Sequence, residues 1–126
     1  MRTIVLVDDD PNTGERLCRL LKPLESDWNM ISVRSGQEAL TTLAAQRCDV
    51  IMTDMRMPGK DGVKLLEEVR TGYPHVVRVL LTEPLDQEAV LRSAGSAHQC
   101  LPKSSPLQAF QSTVTRACAI QELLHN

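Results

Sequence analysis

The sequence lacks a long hydrophobic run, an excess of positive charge and a recognisable targeting segment, and each absence excludes a class of protein. The apolar runs are no longer than strands, so we expect no membrane-spanning helix. The formal net charge is −2, which argues against a surface that binds nucleic acid directly. The N-terminal run MRTIVLVDDD has neither the long apolar segment nor the cleavage site of a signal peptide. We therefore expect a cytoplasmic protein.

Closely paired cysteines are also absent. The cysteines stand far apart, at Cys18, Cys48, Cys100 and Cys118, and form no C-x-x-C motif. That spacing argues against a disulfide scaffold and against a zinc site. Each cysteine lies in or beside an apolar stretch, so we expect all of them to be small buried hydrophobic residues.

The composition is that of an ordinary globular domain, with 42% hydrophobic and 24% charged residues. A length of 126 residues suits one domain, which we assign to 1–126. Along it, five apolar runs with strand character alternate with five helical patterns. The strands are expected at 3–7, 28–33, 50–53, 76–81 and 98–101. This alternation predicts a doubly wound α/β fold, with a parallel five-stranded sheet and helices on both faces.

Local signals indicate where the helices and the sheet edge lie. The first helix is expected over 12–24, because its leucines recur at helical spacing. Ser35 opens a capping box for the second helix, whose inward face we expect to include Ala44. Pro106 is expected at the first position of the last helix. Pro102 would interrupt a ladder of hydrogen bonds, so the fifth strand is expected at the edge of the sheet.

Acidic residues follow the first and third strands at the point where each strand ends. Asp8, Asp9 and Asp10 come after the first strand, and Asp54 comes after the third. Ligands of open α/β sheets bind beyond the carboxyl ends of the strands, so these carboxylates share one small space if the two strands are neighbours. Two such charges 4 Å apart repel by about 4 kcal/mol at an effective dielectric near 20. A bound cation offsets this repulsion, and Mg²⁺ suits an all-oxygen cluster.

A hydroxyl and an ammonium group follow the fourth and fifth strands, at Thr82 and Lys103. Together with a carboxylate beside Mg²⁺, they are the parts of a phosphoryl-transfer site. Asp54 would be the nucleophile and would form an acyl phosphate. Lys103 and Mg²⁺ would neutralise charge on the phosphoryl group, and Thr82 would donate a hydrogen bond to its oxygens. Asp10 is expected to cap the following helix rather than to bind metal.

The motifs around these residues resemble the receiver domains of response regulators, and the resemblance covers essentially the whole chain. The matching stretches are IVLVDDDPN at 4–12, DVIMTDMRMPGKDG at 49–62, VLLT at 79–82 and the isolated Lys103. The resemblance implies a flavodoxin-like fold with strand order 2-1-3-4-5, which makes the first and third strands neighbours.

The resemblance also implies a role for each site residue. Asp54 would accept the phosphoryl group, and Thr82 and Lys103 would contact it. The Mg²⁺ ligands would be Asp9 and Asp54 directly, Asp8 mainly through water, and the backbone carbonyl of Arg56.

The resemblance implies signalling partners rather than a substrate. A histidine kinase, a phosphotransfer protein or a small phosphodonor would supply the phosphoryl group. The chain would catalyse at most its own phosphorylation and dephosphorylation, so we do not expect an enzyme. The stretch AHQCLPK at 97–103 is similar to receivers that precede HD-related output domains, and a chain that ends within a helix fits the N-terminal part of a longer response regulator. The last helix is the expected surface for a homodimer.

Three departures from the family pattern support an alternative function. Glu83 stands where the family carries a small residue, Ser104 where it carries a proline, and Cys100 where it carries an aromatic residue. They favour the alternative of a degenerate receiver that acts as a phosphorylation-independent protein-interaction module. A haloacid-dehalogenase-like phosphatase is less consistent with the sequence, because Arg56 stands where that class needs a second aspartate. Dinucleotide binding is disfavoured as well, since no G-x-G-x-x-G loop follows the first strand.

Overall fold

The computed structural model of the chain describes residues 2–83 and 86–125. Within these ranges, five strands alternate with five α-helices. The strands are β1 (Arg2–Val7), β2 (Trp28–Val33), β3 (Val50–Asp54), β4 (Val77–Thr82) and β5 (Gln99–Pro102). The helices are α1 (Pro11–Leu21), α2 (Gly36–Ala45), α3 (Gly62–Gly72), α4 (Gln87–Ser93) and α5 (Leu107–His125).

The strands form one parallel sheet in the order β2-β1-β3-β4-β5. This order confirms both the predicted alternation and the topology that the family resemblance implies. β5 lies at the edge of the sheet, as predicted, because Pro102 has no backbone N–H to donate to a further strand. β1 and β3 pair directly, with Val7 beside Thr53. The residues at their carboxyl ends therefore meet at the same edge of the sheet.

Apolar layers cover the sheet on both faces, which explains the continuous apolar runs of its central strands. On one face, Val5 and Ile51 pack in the same cluster as the buried side chains of α2 and α3. On the other face, Ile4 and Met52 pack with the buried side chains of α1 and α5. Each fully buried aliphatic side chain contributes about 1.5–3 kcal/mol. Burial on both faces thus fixes the positions of the carboxyl ends of β1 and β3 relative to each other.

Polar side chains cap the first two helices. Asp10 caps α1, because its carboxylate accepts the backbone N–H of Asn12 at 3.0 Å. Ser35 caps α2, because its hydroxyl accepts the backbone N–H of Glu38 at 3.1 Å. The carboxylate of Glu38 accepts the N–H of Arg34 at 2.7 Å, one residue before the partner that a capping box uses. The predicted capping roles of Asp10 and Ser35 are confirmed.

The predictions for the end of α1 and for one face of α2 are wrong. α1 ends at Leu21, and a 3-10 turn follows over Lys22–Leu24. Pro23 lies in that turn and has no N–H for an α-helical hydrogen bond, so the chain tightens instead of continuing the helix. Ala44 is exposed, because it lies about 100° around the helix from the buried Leu43.

The last helix and the cysteines also differ from expectation. α5 begins at Leu107, one residue after Pro106, whose carbonyl accepts the N–H of Phe110 at 3.3 Å.

The four cysteines are free thiols, but only half of them are buried. Cys48 and Cys118 are buried, and Cys18 and Cys100 are half-buried. No helix in the described part of the chain is both long and apolar enough to span a membrane.

Candidate functional site

Three carboxylates meet at the carboxyl ends of β1 and β3. Asp8 and Asp9 follow β1 directly, and Asp54 is the last residue of β3. One oxygen from each lies within 4.8 Å of the others. Asp8 and Asp54 are buried, with 2% and 6% of their surface exposed, whereas Asp9 is exposed. The structure thus brings together the three acidic residues that the strand ends predict, and their roles remain predictions.

Lys103 lies between two of these carboxylates. Its Nζ atom is 3.1 Å from Oδ2 of Asp54 and 3.4 Å from Oδ2 of Asp8. The backbone places it there, because the N–H of Lys103 donates to the carbonyl of Thr82 at 2.7 Å. Burial alone would lower the pKa of Lys103, but hydrogen bonding and attraction to Asp54 and Asp8 outweigh it and raise this pKa above its ordinary value. Lys103 is therefore held in its charged form.

Asp8 shows the electrostatic cost of this cluster. Burial raises the pKa of Asp8, and repulsion from Asp54 raises it further. The N–H of Asp10, which donates to Oδ1 of Asp8 at 2.9 Å, and the ammonium of Lys103 oppose this shift. The raised pKa means that a charged Asp8 at neutral pH destabilises the folded state.

The residues present fit a divalent cation. Asp8, Asp9 and Asp54 carry three negative charges when ionised, and Lys103 supplies one positive charge, which leaves an excess of two negative charges. A divalent cation balances this excess, and carboxylate oxygens are the ligands that Mg²⁺ prefers.

Thr82 lies one strand further along the sheet. Asp54 pairs with Leu81 on β4, so Thr82 is one residue beyond the level of Asp54. Thr82 is buried, and its backbone carbonyl holds the N–H of Lys103. Glu83, the next residue, is exposed. Both line a mainly apolar groove of about 480 Å³ between α4 and β5.

Cys100 lines the same groove from β5. Its Sγ atom lies 3.3 Å from Oγ of Ser93, the last residue of α4. A thiol fills much less of this space than an aromatic ring would. Ser104, the other departure that follows β5, is exposed.

Two ion pairs near the site are not predicted by the sequence. The guanidinium of Arg56 lies 3.0 Å from the carboxylate of Asp86, and that of Arg92 lies 3.1 Å from the carboxylate of Asp61. The paired residues are 30 and 31 positions apart, so no local spacing reveals them. The role of the Arg56 carbonyl as a metal ligand remains a prediction.

Comparison with known proteins identifies similar sequences. The family model described as response regulator receiver domain matches residues 4–115. The hydrogenase transcriptional regulatory protein HoxA of Cupriavidus necator is 34% identical over 95 residues, which are 75% of this chain and 19% of HoxA. The chain spans between 16% and 24% of the length of the first curated relatives that it matches.

Solved structures are similar over nearly the whole chain. The signal receiver domain of an HD domain-containing protein from Pseudomonas fluorescens Pf-5 has a TM-score of 0.88 at 27% identity, over 96% of this chain and 89% of that one. The response regulator protein TrrA of Thermotoga maritima, in complex with Mg(2+)-BeF, has a TM-score of 0.82 at 26% identity, over 93% of this chain and 99% of that one.

Proposed function

The chain belongs to the response regulator receiver domain family, and we propose that its Asp54 accepts a phosphoryl group in a two-component signalling system. The observation that carries the proposal is the position of Lys103, whose Nζ lies 3.1 Å from Oδ2 of Asp54 within a cluster of carboxylates. A buried carboxylate beside a fixed cation at the carboxyl edge of a parallel sheet has the parts of a phosphoacceptor.

The chemistry assigns one task to each side chain. An oxygen of Asp54 attacks the phosphorus of the donor, and the bond from phosphorus to the donor breaks with its electron pair on the leaving group. Lys103 neutralises charge on the oxygens of the transferred group, and the hydroxyl of Thr82 donates a hydrogen bond to them. The product is an acyl phosphate on Asp54.

Mg²⁺ would be held directly by Asp9, Asp54 and the backbone carbonyl of Arg56, and by Asp8 mainly through water. When bound, it supplies positive charge that offsets the repulsion between the carboxylates and the incoming phosphoryl group. The complex of the similar protein TrrA with Mg(2+)-BeF supports this choice of metal. In this chain, the N–H of Asp10 holds the carboxylate of Asp8 in place at 2.9 Å.

The acyl phosphate carries up to about two negative charges, in place of the single charge of the Asp54 carboxylate. The backbone N–H of Lys103 donates to the carbonyl of Thr82. Attraction of either residue towards the new charge therefore moves the carboxyl ends of both β4 and β5. We infer that this movement changes a surface that an output domain or a second copy of the chain contacts.

The proposed partners follow from the family. The donor is a histidine kinase or a phosphotransfer protein, and the output domain is HD-related. The similar receiver from an HD domain-containing protein supports the second assignment. A cytoplasmic location fits both partners.

Intact-protein mass spectrometry tests the proposed function. Incubation with Mg²⁺ and a small-molecule phosphodonor is expected to add one phosphoryl group to the wild type and none to Asp54→Ala. Asp10→Asn is the matched control, because it removes a carboxylate from the same acidic run, and Asp10 caps α1; this variant should label normally. Absence of labelling in the folded wild type, while another receiver labels in parallel, would contradict the proposal.

A further inference from the structure

Two ion pairs connect α4 to the loop that follows Asp54. This loop spans residues 55–61. Within it, Nη2 of Arg56 lies 3.0 Å from Oδ2 of Asp86, the residue before α4. At its end, Oδ2 of Asp61 lies 3.1 Å from Nη2 of Arg92 in the last turn of α4. We call these contacts the loop–α4 bridges.

Each aspartate of the loop–α4 bridges also begins a helix. Oδ1 of Asp61 accepts the N–H of Lys64 at 2.9 Å and caps α3. Oδ1 of Asp86 accepts the N–H of Ala89 at 3.1 Å and caps α4. In each carboxylate, one oxygen therefore accepts a hydrogen bond from the first turn of a helix, and the other oxygen forms an ion pair with an arginine. Each arginine is thereby connected, through a single carboxylate, to the first turn of a helix.

Apolar packing holds α4 only weakly. Of its seven residues, only Ala89 and Ser93 are buried, and both have small side chains. Val90 and Leu91 are 45% and 77% exposed. Cys100 contacts Ser93 with a thiol and offers little packing surface. Because so little apolar surface fixes α4, two ion pairs account for a larger share of its position than they would on a well-buried helix.

We propose that Arg56, Asp61, Asp86 and Arg92 are positioning residues that make α4 follow the loop after Asp54. The proposal rests on the proposed function of Asp54, and it names the route by which the state of that residue reaches a surface. In this chain the route passes through charged side chains and two helix caps, and it does not require an aromatic residue at position 100. Displacement of residues 55–61 then displaces α4 as well.

The first test needs no phosphorylation and uses the whole chain. Amide hydrogen exchange of α4 is compared in the wild type and in the double variant Asp61→Asn/Asp86→Asn, which retains an oxygen for each cap but removes both charges. Exchange in α4 is expected to rise about two- to fivefold, the range that exposed ion pairs support. Glu122→Gln is the matched control, because it removes the Arg2–Glu122 ion pair, whose partners lie in β1 and α5 and belong neither to the loop nor to α4. Unchanged exchange of α4 in the double variant would overturn the proposal.

A conservative substitution separates charge from bulk. Arg92→Gln is expected to raise exchange both in α4 and in residues 55–61, although it lies in α4. Arg92→Lys keeps the charge, so exchange in both segments should stay at the wild-type rate. Equal effects of glutamine and lysine would show that the guanidinium acts through packing, which contradicts the bridges.

The second test asks whether α4 responds to Asp54. After labelling to the same stoichiometry, measured by intact mass, the change in α4 exchange is compared between the wild type and Arg92→Gln/Asp86→Asn. In the double variant, the change in α4 exchange on labelling is expected to be half of the wild-type change or less. A full response there would overturn the proposal. If the wild type does not label, the proposed function fails, and the unphosphorylated comparison still decides whether the bridges exist.

Discussion

At the scale of single residues, Asp8 has the least solvent contact of the acidic residues at the site, with 2% of its surface exposed. Its carboxylate faces Lys103 at 3.4 Å and shares its surroundings with Asp54. Burial and repulsion raise its pKa, so the energetic cost of the charged form is fully present above the raised pKa and disappears below the ordinary value. An asparagine at this position removes the charge and retains an acceptor for the N–H of Asp10.

We therefore predict that Asp8→Asn is more stable than the wild type at neutral pH without Mg²⁺. The expected gain is about 1 kcal/mol, because losing the burial cost of the charge and the repulsion from Asp54 is partly offset by losing the attraction to Lys103, and it corresponds to about 3 °C in Tm. Millimolar Mg²⁺ should raise the Tm of the wild type, because a ligand of the native state stabilises it, and should raise that of the variant much less. Thermal unfolding with Mg²⁺ and with EDTA measures both effects, and a less stable variant in EDTA would contradict the prediction.

Glu83 is exposed beside Thr82 and is expected to repel an anionic phosphodonor. Two unit charges 4 Å apart in water repel by about 1 kcal/mol, so Glu83→Ala should speed labelling by at most about fivefold. The gain should shrink at high salt, where exposed charges are screened. Glu88→Ala, which removes an exposed carboxylate from α4, is the control. A far larger gain, unaffected by salt, would favour a degenerate receiver that Glu83 blocks.

At the scale of elements, the start of α3 lies directly against the end of β3. A Cβ atom on Gly62 would lie 2.3 Å from the carbonyl oxygen of Asp54. The N–H of Gly62 also donates to the carbonyl of Met55 at 2.9 Å. A glycine here lets α3 begin against the backbone of the proposed phosphoacceptor.

Gly62→Ala is predicted to destabilise the fold by about 1–3 kcal/mol, the usual cost of an overpacked site. Because the clash is with the backbone of Asp54, labelling of this residue should slow as well. Gly72→Ala is the control, since a Cβ atom there meets nothing within 4 Å, and it should stabilise by about 0.5–1 kcal/mol. Urea unfolding and the labelling rate provide the two readouts. Equal stability of the two variants would contradict the packing described.

The junction of β4 and β5 contains a titratable acceptor. Although His98 is exposed over much of its surface, its Nδ1 atom accepts the backbone N–H of Arg78 at 3.0 Å. Partial burial lowers the pKa of His98, and the positive charge of Arg78 lowers it further. The neutral ring is therefore the form that the fold binds, because a protonated Nδ1 cannot accept this hydrogen bond.

We predict a loss of stability as the pH falls below about 6.5, the ordinary histidine value, towards the lowered pKa of His98. In this window the unfolded chain takes up the proton first, so the folded state loses about 1 kcal/mol, the contribution of one hydrogen bond. His98→Asn keeps an acceptor oxygen but cannot titrate. Urea unfolding at pH 7.5 and pH 5 should therefore show a smaller loss in the variant, whereas identical losses would exclude His98 as the cause.

At the scale of the whole molecule, the sequence predicts the architecture because strand and helix signals alternate along it. The second strand lies where its pattern predicts, at Trp28–Val33. The strand order depends on the family resemblance, since periodicity alone does not define neighbours. The end of α1 is missed because leucine spacing continues past Leu21, while Pro23 has no N–H for an α-helical hydrogen bond.

The sequence predicts which strand-end residues meet at the site, but it does not predict the ion pairs beside them. Parallel strands end at one edge of a sheet, so Asp8, Asp54 and Lys103 meet once the topology is known. The loop–α4 bridges join residues 30 and 31 positions apart. Their meeting depends on the path of loops, and no pattern in the sequence encodes that path.

The position of the phosphoryl group decides whether Asp54 is the phosphoacceptor. The wild type is incubated with a small phosphodonor with and without Mg²⁺, digested, and examined by tandem mass spectrometry before and after hydroxylamine, which cleaves acyl phosphates. We predict one hydroxylamine-sensitive phosphoryl group on the peptide that contains Asp54, formed only with Mg²⁺. A stable phosphoryl group on a serine or threonine, or one carried by Asp8 or Asp9, would contradict the assignment of Asp54 as the phosphoacceptor.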